Sequence, residues 1–311
     1  MKILVTGGAG FIGSHVAEAY AKLGHRVWVV DDLSSGKREN VPAGIELYPW
    51  DIADPRVAKL LMDERIELIN HHAAHMDVRA SVSDPLKDAK TNVMGLLSLL
   101  EATRKSGVKR FIFASTGGAI YGEQRQFPAK ESHPSEPSSP YGVGKLAGEK
   151  YLECYHRLLG IVPQILRYAN VYGPRQNPHG EAGVIAIFAD KMLRPQTPWI
   201  HGSGHQTRDF IYIEDIVKAN VLALSHVQAC LFNVGTGQET DILTIFRHLQ
   251  TLTGYGGKAQ HDKAKEGEQM RSSINSERIL EAWGWKPQVP LLEGLEKTAH
   301  WFRQTAASHL G

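Results

Sequence analysis

The sequence predicts an α/β chain: a doubly wound parallel sheet followed by a smaller mixed α/β lobe. Two observations carry this. Short β-branched runs alternate with amphipathic stretches near 11–23, 54–64, 85–106 and 140–159. Apolar strands set between helices belong to a parallel sheet covered on both faces. The second observation is a glycine-rich turn, VTGGAGFIGSHV, placed directly after the first run.

Composition narrows the class. The chain has 311 residues, 42% hydrophobic and 22% charged, which suits a globular enzyme or binding protein rather than a fibre or a disordered chain. The 35 basic and 33 acidic residues are spread along it, so a nucleic-acid partner is not expected. Cys154 and Cys230 stand in unrelated contexts and form no disulfide framework or zinc spacing, which fits a reducing, cytoplasmic setting. The first residues lack a signal peptide's apolar core, and nowhere do 18 apolar residues run together, so no membrane partner is expected.

In chain order, KILVT (2–6) is the first strand, and Gly7, Gly10 and Gly13 follow it at the start of a helix. A tight turn there lets the backbone approach a pyrophosphate, whose charge meets free amides and the helix dipole. The second strand, RVWVV (26–30), leads into Asp31 about twenty residues on. A carboxylate at that place accepts the hydroxyls of an adenosine ribose and repels a 2′-phosphate, so the expected cofactor is NAD in the Rossmann manner. IELYP (45–49) is the third strand. Asp51 and Ile52 follow it, to reach the adenine edge or, in the case of Asp51, to cap the helix after Ala53.

ELIN (67–70) is the fourth strand and runs into His71, His72 and His75. Neighbouring strand residues point to opposite faces, so His71 and His72 do not share one ion, and no metal is expected. RFIFAS (110–115) is the fifth strand, and its end offers Ser115 and Thr116 as the hydroxyl that bonds a reacting oxygen, with Thr116 favoured and a structural turn hydroxyl the other reading. From Gly117 to Ser139 no periodic element is visible, and a loop this long beside such residues reads as functional.

Helix 140–159 opens with SPYGVGK. Tyr141 and Lys145 lie one turn apart on one face, and Gly144 and Gly148 fall in the same stripe, where missing side chains let the helix lie close to its neighbour. Gly142 lies outside that stripe and stays unexplained. An ammonium beside a phenol favours the phenolate and makes Tyr141 a candidate base. VPQILR (162–167) is the sixth strand. After about Asn170 the turn-rich NVYGPRQNPHGEAG breaks the rhythm. The expected division is 1–169 for the dinucleotide and 170–311 for the substrate, with parts of 209–235 returning to the first lobe.

Together these residues resemble the extended short-chain dehydrogenase/reductases, specifically the UDP-glucose (UDP-galactose) 4-epimerases. The likeness spans the chain: TGGAGFIGSH, SPYGVGK, LRYANVYGPRQ, RDFIYIEDI, FNVGTG and AWGWKP occur in order. The resemblance implies NAD contacts at Phe11, Ile12, Asp31, Asp51, Ile52, Ala73, Asn92, Tyr141, Lys145 and Ala169. It implies nucleotide-sugar contacts at Thr116, Asn170, Val184, Trp199, Ile200, His201 and Arg208. Arg208 suits a diphosphate, and its bland reading is a partner for Asp209 or Glu214. The implied reaction inverts C4 through a 4-keto sugar, with Tyr141 removing the C4 hydroxyl proton. The family also implies a homodimer, formed by the helices at 85–106 and 140–159 against their copies.

Departures from the family pattern carry their own expectations. Where many relatives have Ser-Ser-Ala, this chain has Thr116, Gly117 and Gly118, one residue longer. The usual Arg-x-Gly-Asp reads Lys265-Glu266-Gly267-Glu268, a further substrate contact, with Arg271 placed to compensate for the lost guanidinium. Ser272 stands where a bulky tyrosine in some relatives restricts the sugar's C2 substituent, so N-acetylated sugars are expected to enter. The related 4,6-dehydratases need an acid after the threonine, which Gly117 and Gly118 do not supply. Other sugar epimerases, a UDP-glucuronate decarboxylase, or a non-catalytic NAD-binding sensor are the remaining readings, and a sensor has no need of Tyr141 and Lys145 together.

Overall fold

The computed structural model describes residues 1–179, 183–194, 196–264 and 269–308. Its centre is a parallel sheet of seven strands: β1 (Lys2–Thr6), β2 (Arg26–Val30), β3 (Glu46–Tyr48), β4 (Leu68–His71), β5 (Arg110–Thr116), β6 (Val162–Tyr168) and β11 (Cys230–Val234). They lie in the order β11-β6-β5-β4-β1-β2-β3, every neighbouring pair parallel. The reversal between β1 and β4 opens a crevice at the carboxyl ends of the strands, where such sheets take their ligands.

Side-chain alternation builds two cores. Ile3 and Val5 of β1 face one layer and Leu4 the other; Ile112 and Ala114 of β5 join the first, Phe111 and Phe113 the second. The second layer packs under α2 (Pro55–Asp63) and α5 (Leu96–Ser106), and the first under α1 (Phe11–Lys22) and α9 (Ile213–Ser225). After residue 209, β11 extends the sheet beside β6.

Among the described residues three small sheets complete the strands: β7 (Asn170–Tyr172) with β10 (Phe210–Tyr212), β9 (Thr207–Arg208) with β12 (Thr240–Asp241), and β8 (Trp199–His201) with β13 (Gln260–Asp262). Helices α8 (Val184–Leu193), α10 (Ile242–Thr253) and α12 (Leu291–Ser308) pack together, and α11 (Glu277–Trp283) lies on β11. Among the described residues no helix is long and apolar enough to cross a membrane.

Local structure departs from expectation in three places. Asp51 does not cap α2: its carboxylate accepts the Ala53 amide at 2.8 Å, while Asp54, before Pro55, caps the helix by accepting the Arg56 amide. The expected helix at 85–106 is three pieces, α4 (Pro85–Ala89), a π-helical stretch over Lys90–Gly95, and α5, preceded by α3 (Val78–Ser83). Asp84 ends α3 and caps α4, where Pro85 forbids a continuous helix. The interval 117–139 opens with a short helix, α6 (Gly117–Ile120), too brief to show a period.

Candidate active site

The glycine turn is built around contacts that only hydrogen permits. Gly7 has φ +67, and a Cβ on it would stand 2.5 Å from the Ala73 nitrogen; one on Gly13 would stand 2.2 Å from the Gly7 carbonyl. Gly10 caps α1 and offers no side chain to the first amides of the helix, which Phe11 and Ile12 begin. Asp31 is buried and locks the turn from the side, its Oδ2 accepting the Ala9 amide and its Oδ1 the Leu33 amide, both at 2.9 Å. Burial raises its pKa and those amides oppose the rise. A Cβ on Gly36 would come within 2.7 Å of Asp31 Oδ1, a requirement that no sequence signal announced. Uncapped amides above a close backbone approach, with a carboxylate at the end of β2, fit a dinucleotide's pyrophosphate and ribose.

Further along the strand ends, Ile52 is buried and packs on Gly95, so its main chain is what it leaves at the crevice. Asn92, inside the π-helical stretch, accepts the His75 amide and donates to the His75 carbonyl, both at 2.9 Å, and donates to Asp88 at 2.8 Å. It thereby pins the segment after β4 that contains Ala73. His71 stacks on Phe113 and His72 on Tyr168, rings that belong to opposite layers.

Helix α7 (Pro140–Leu159) is defined by local chemistry: Ser139 accepts the Gly142 amide, Pro140 sits in the first turn, and Gly160 ends it at φ +68. Two of its early glycines are packing requirements. A Cβ at Gly148 would meet Phe113 Cζ at 2.8 Å, whereas one at Gly144 would meet Asn92 and Asp88 at 3.5 Å, an ordinary contact. At Gly142 it would lie 2.7 Å from the Ala119 carbonyl, which accounts for the glycine outside the stripe: the helix start packs on α6.

Tyr141 and Lys145 share the inner face of this helix. Lys145 is buried, donates to the Ala114 carbonyl at 2.9 Å and lies 4.9 Å over the Phe113 ring. Burial pushes its pKa down to about 8, against the opposing charges of Asp88 and Glu149. At Tyr141, burial, then Asp88, pushes the phenol above 10. Asp88, a buried carboxylate one turn before Asn92, was not found from the sequence; it acts on both residues.

The two candidate hydroxyls part company. Ser115 is buried and donates to Glu149 Oε1 at 2.6 Å. Thr116 ends β5 and does not cap α6. A Cβ on Gly118 would stand 3.8 Å from its Oγ1 and 3.6 Å from Asn170 Oδ1, so Thr116 and Asn170 flank one small gap. Ala169 is held to β11 through the Val234 carbonyl.

On the substrate side, Val184 opens α8, Trp199 is exposed and His201 half-buried, whereas Ile200 is buried in the core. Arg208 donates to the Thr207 carbonyl at 2.8 Å. Asp209 accepts amides of Thr236, Gly237 and Ile274, and Glu214 pairs with Lys297. Arg271, expected to compensate for the lost guanidinium, grips Glu239 through two bonds and lies 3.9 Å over the Phe127 ring. Ser272 is buried, and the segment after it leans on the strand end, where a Cβ on Gly117 would meet Ile274 Cδ1 at 2.7 Å. Lys265 and Glu268 lie outside the described residues.

Sheet order, glycine turn and paired tyrosine and lysine define a dinucleotide-dependent enzyme of the Rossmann class. The chain belongs to the NAD dependent epimerase/dehydratase family, whose model matches residues 3–235. It is 44% identical to a putative UDP-glucose 4-epimerase of Methanocaldococcus jannaschii, over 97% of this chain and 98% of that one. Among solved structures it resembles UDP-glucose 4-epimerase with UDP-glucose from Thermotoga maritima, with a TM-score of 0.96 and 46% identity over 98% of this chain and 100% of that one. The Thermus thermophilus UDP-glucose 4-epimerase complex with NAD gives 0.93 and 41% over 97% and 99%. UDP-N-acetylglucosamine 4-epimerase from Methanobrevibacter ruminantium, in complex with UDP-N-acetylmuramic acid, gives 0.92 and 33% over 98% of each.

Proposed function

We propose that the chain is an NAD-dependent UDP-glucose/UDP-galactose 4-epimerase. The observation that carries this is Tyr141 and Lys145 on the inner face of α7, Lys145 anchored on the strand that ends in Thr116. NAD, when bound on Gly7, Gly10, Phe11, Ile12, Gly13 and Asp31, supplies the acceptor and donor of the C4 hydride and a positive ring that favours the phenolate. Asp51, Ile52, Ala73, Asn92 and Ala169 border the same crevice.

Tyr141 takes the C4 hydroxyl proton and later returns it, work typically worth about 10²–10⁴-fold in rate. Lys145 supplies positive charge beside the phenol, and Thr116 bonds the reacting oxygen. Arg208, with Asn170, Val184 and the Trp199–His201 strand, holds the nucleotide diphosphate while the 4-keto sugar turns to present its other face. Residues 1–169 with β11 serve the dinucleotide, and the remainder serves the sugar nucleotide.

Ser272 favours a second activity on UDP-GlcNAc and UDP-GalNAc, because a small residue leaves room for a C2 acetamide. Val82 on α3, Leu86 on α4, Met94 on the π-helical stretch, and Val143, Tyr151 and Leu158 on α7 are exposed apolar side chains. They form the face of a homodimer, and Leu86→Glu turns a dimer into a monomer in sedimentation. Two free cysteines suit a cytoplasmic setting.

Mixing the purified protein with UDP-galactose and following anomeric proton signals tests the function. UDP-glucose forms without added reductant if the proposal holds. Sugar that stays unchanged, or that ends oxidised, contradicts it.

A further inference from the structure

Glu149 lies two turns beyond Tyr141 and one beyond Lys145 on α7, and it is completely buried. A buried carboxylate needs partners, and it has three bonds: Ser115 Oγ at 2.6 Å and Arg167 Nε at 2.8 Å, both to Oε1, and Arg167 Nη2 at 2.6 Å to Oε2. Arg167 stands on β6 and spends Nη1 on the Tyr121 hydroxyl at 2.9 Å. Tyr121 donates to Asn233 of β11 at 2.6 Å.

Two consecutive residues of β5 are therefore tied to the same helix. Ala114 receives Lys145 Nζ, and Ser115 donates to Glu149, immediately before Thr116. We propose that Ser115, Glu149 and Arg167 form a positioning clamp that fixes α7 over the end of β5, and so fixes the spacing between the Tyr141 phenol and the Thr116 hydroxyl. The inference rests on the epimerase reading of that site. None of the three is a catalytic residue. They act through Tyr141, Lys145 and Thr116.

The polar chemistry exceeds what stability asks. A buried ion pair is often no better for folding than apolar side chains of the same size, whereas directional bonds to one carboxylate set a helix's height and rotation. Misplacing a reacting group by about 1 Å costs on the order of 10²-fold in rate.

Ser115→Ala removes one tether and leaves the Glu149–Arg167 pair intact; Ser115→Thr keeps the hydroxyl. With UDP-galactose, the alanine variant loses about 10-fold or more in kcat while its KM and Tm stay near those of the parent chain, and the threonine variant recovers most of the loss. An alanine variant with the parent kcat, or one whose kcat falls only together with Tm, overturns the clamp. A parent chain without turnover fails the functional reading instead. The clamp is then judged on ligand-free protein by comparing crystal structures of the parent chain and Ser115→Ala. A Tyr141 phenol displaced by about 1 Å from the Thr116 hydroxyl supports the clamp, and an unmoved α7 overturns it.

Discussion

Lys145 gives the most quantitative test of the buried site. Its ammonium is expected to titrate near 8 rather than at the ordinary 10.5, because burial outweighs Asp88 and Glu149. At about 1.4 kcal/mol per unit of pKa, burying the charged form costs the fold about 3 kcal/mol below pH 8. Between pH 8 and 10.5 the unfolded chain holds this proton and the folded chain does not, so stability rises with pH across that window. The assay is urea unfolding of the parent chain and of Lys145→Met at pH 7, 8, 9, 10 and 10.5. Subtracting the two removes every other titration, and the bond to Ala114 is a constant offset. The difference moves in favour of the parent chain by about 3 kcal/mol from pH 7 to 10.5. A difference that stays flat, or moves the other way, refutes a buried, desolvated ammonium at this place.

Gly148→Ala puts a methyl within 2.8 Å of Phe113 and 2.9 Å of Leu96, both buried. Overpacking of about 1–3 kcal/mol outweighs about 1 kcal/mol of helix preference, so Tm falls; a raised Tm in a melting curve contradicts the packing. If Ser272 borders the sugar as proposed, Ser272→Tyr fills the space beside its C2 substituent. UDP-GlcNAc turnover drops by about 10²-fold or more while UDP-galactose turnover stays within a few fold, and equal losses on the two substrates rule out a C2 gate.

The sheet was legible because its apolar runs are short, β-branched and punctuated by glycine, and LFNV at 231–234 carries the same signature late in the chain. Tyr141 and Lys145 were legible because helical spacing alone places them together. What stayed hidden is what tertiary contact decides. Ser115 and Thr116 are adjacent hydroxyls, and only the arrival of Glu149 from another element separates them. Asp88 reads as an ordinary surface residue between Pro85 and Asn92 until α7 covers it. Gly142 had no visible cause because α6, on which it packs, is a four-residue helix. The cap of α2 is the reverse case: Asp54 before Pro55 is a local signal, stronger than Asp51, that pattern reading passed over.

Tyr141→Phe tests the central claim most directly, since it deletes one oxygen and leaves the ring that packs there. With UDP-galactose, turnover falls by about 10²-fold or more while binding of NAD and of UDP, measured by calorimetry, is kept. Turnover equal to that of the parent chain, with both ligands bound, contradicts Tyr141 as the group that moves the proton.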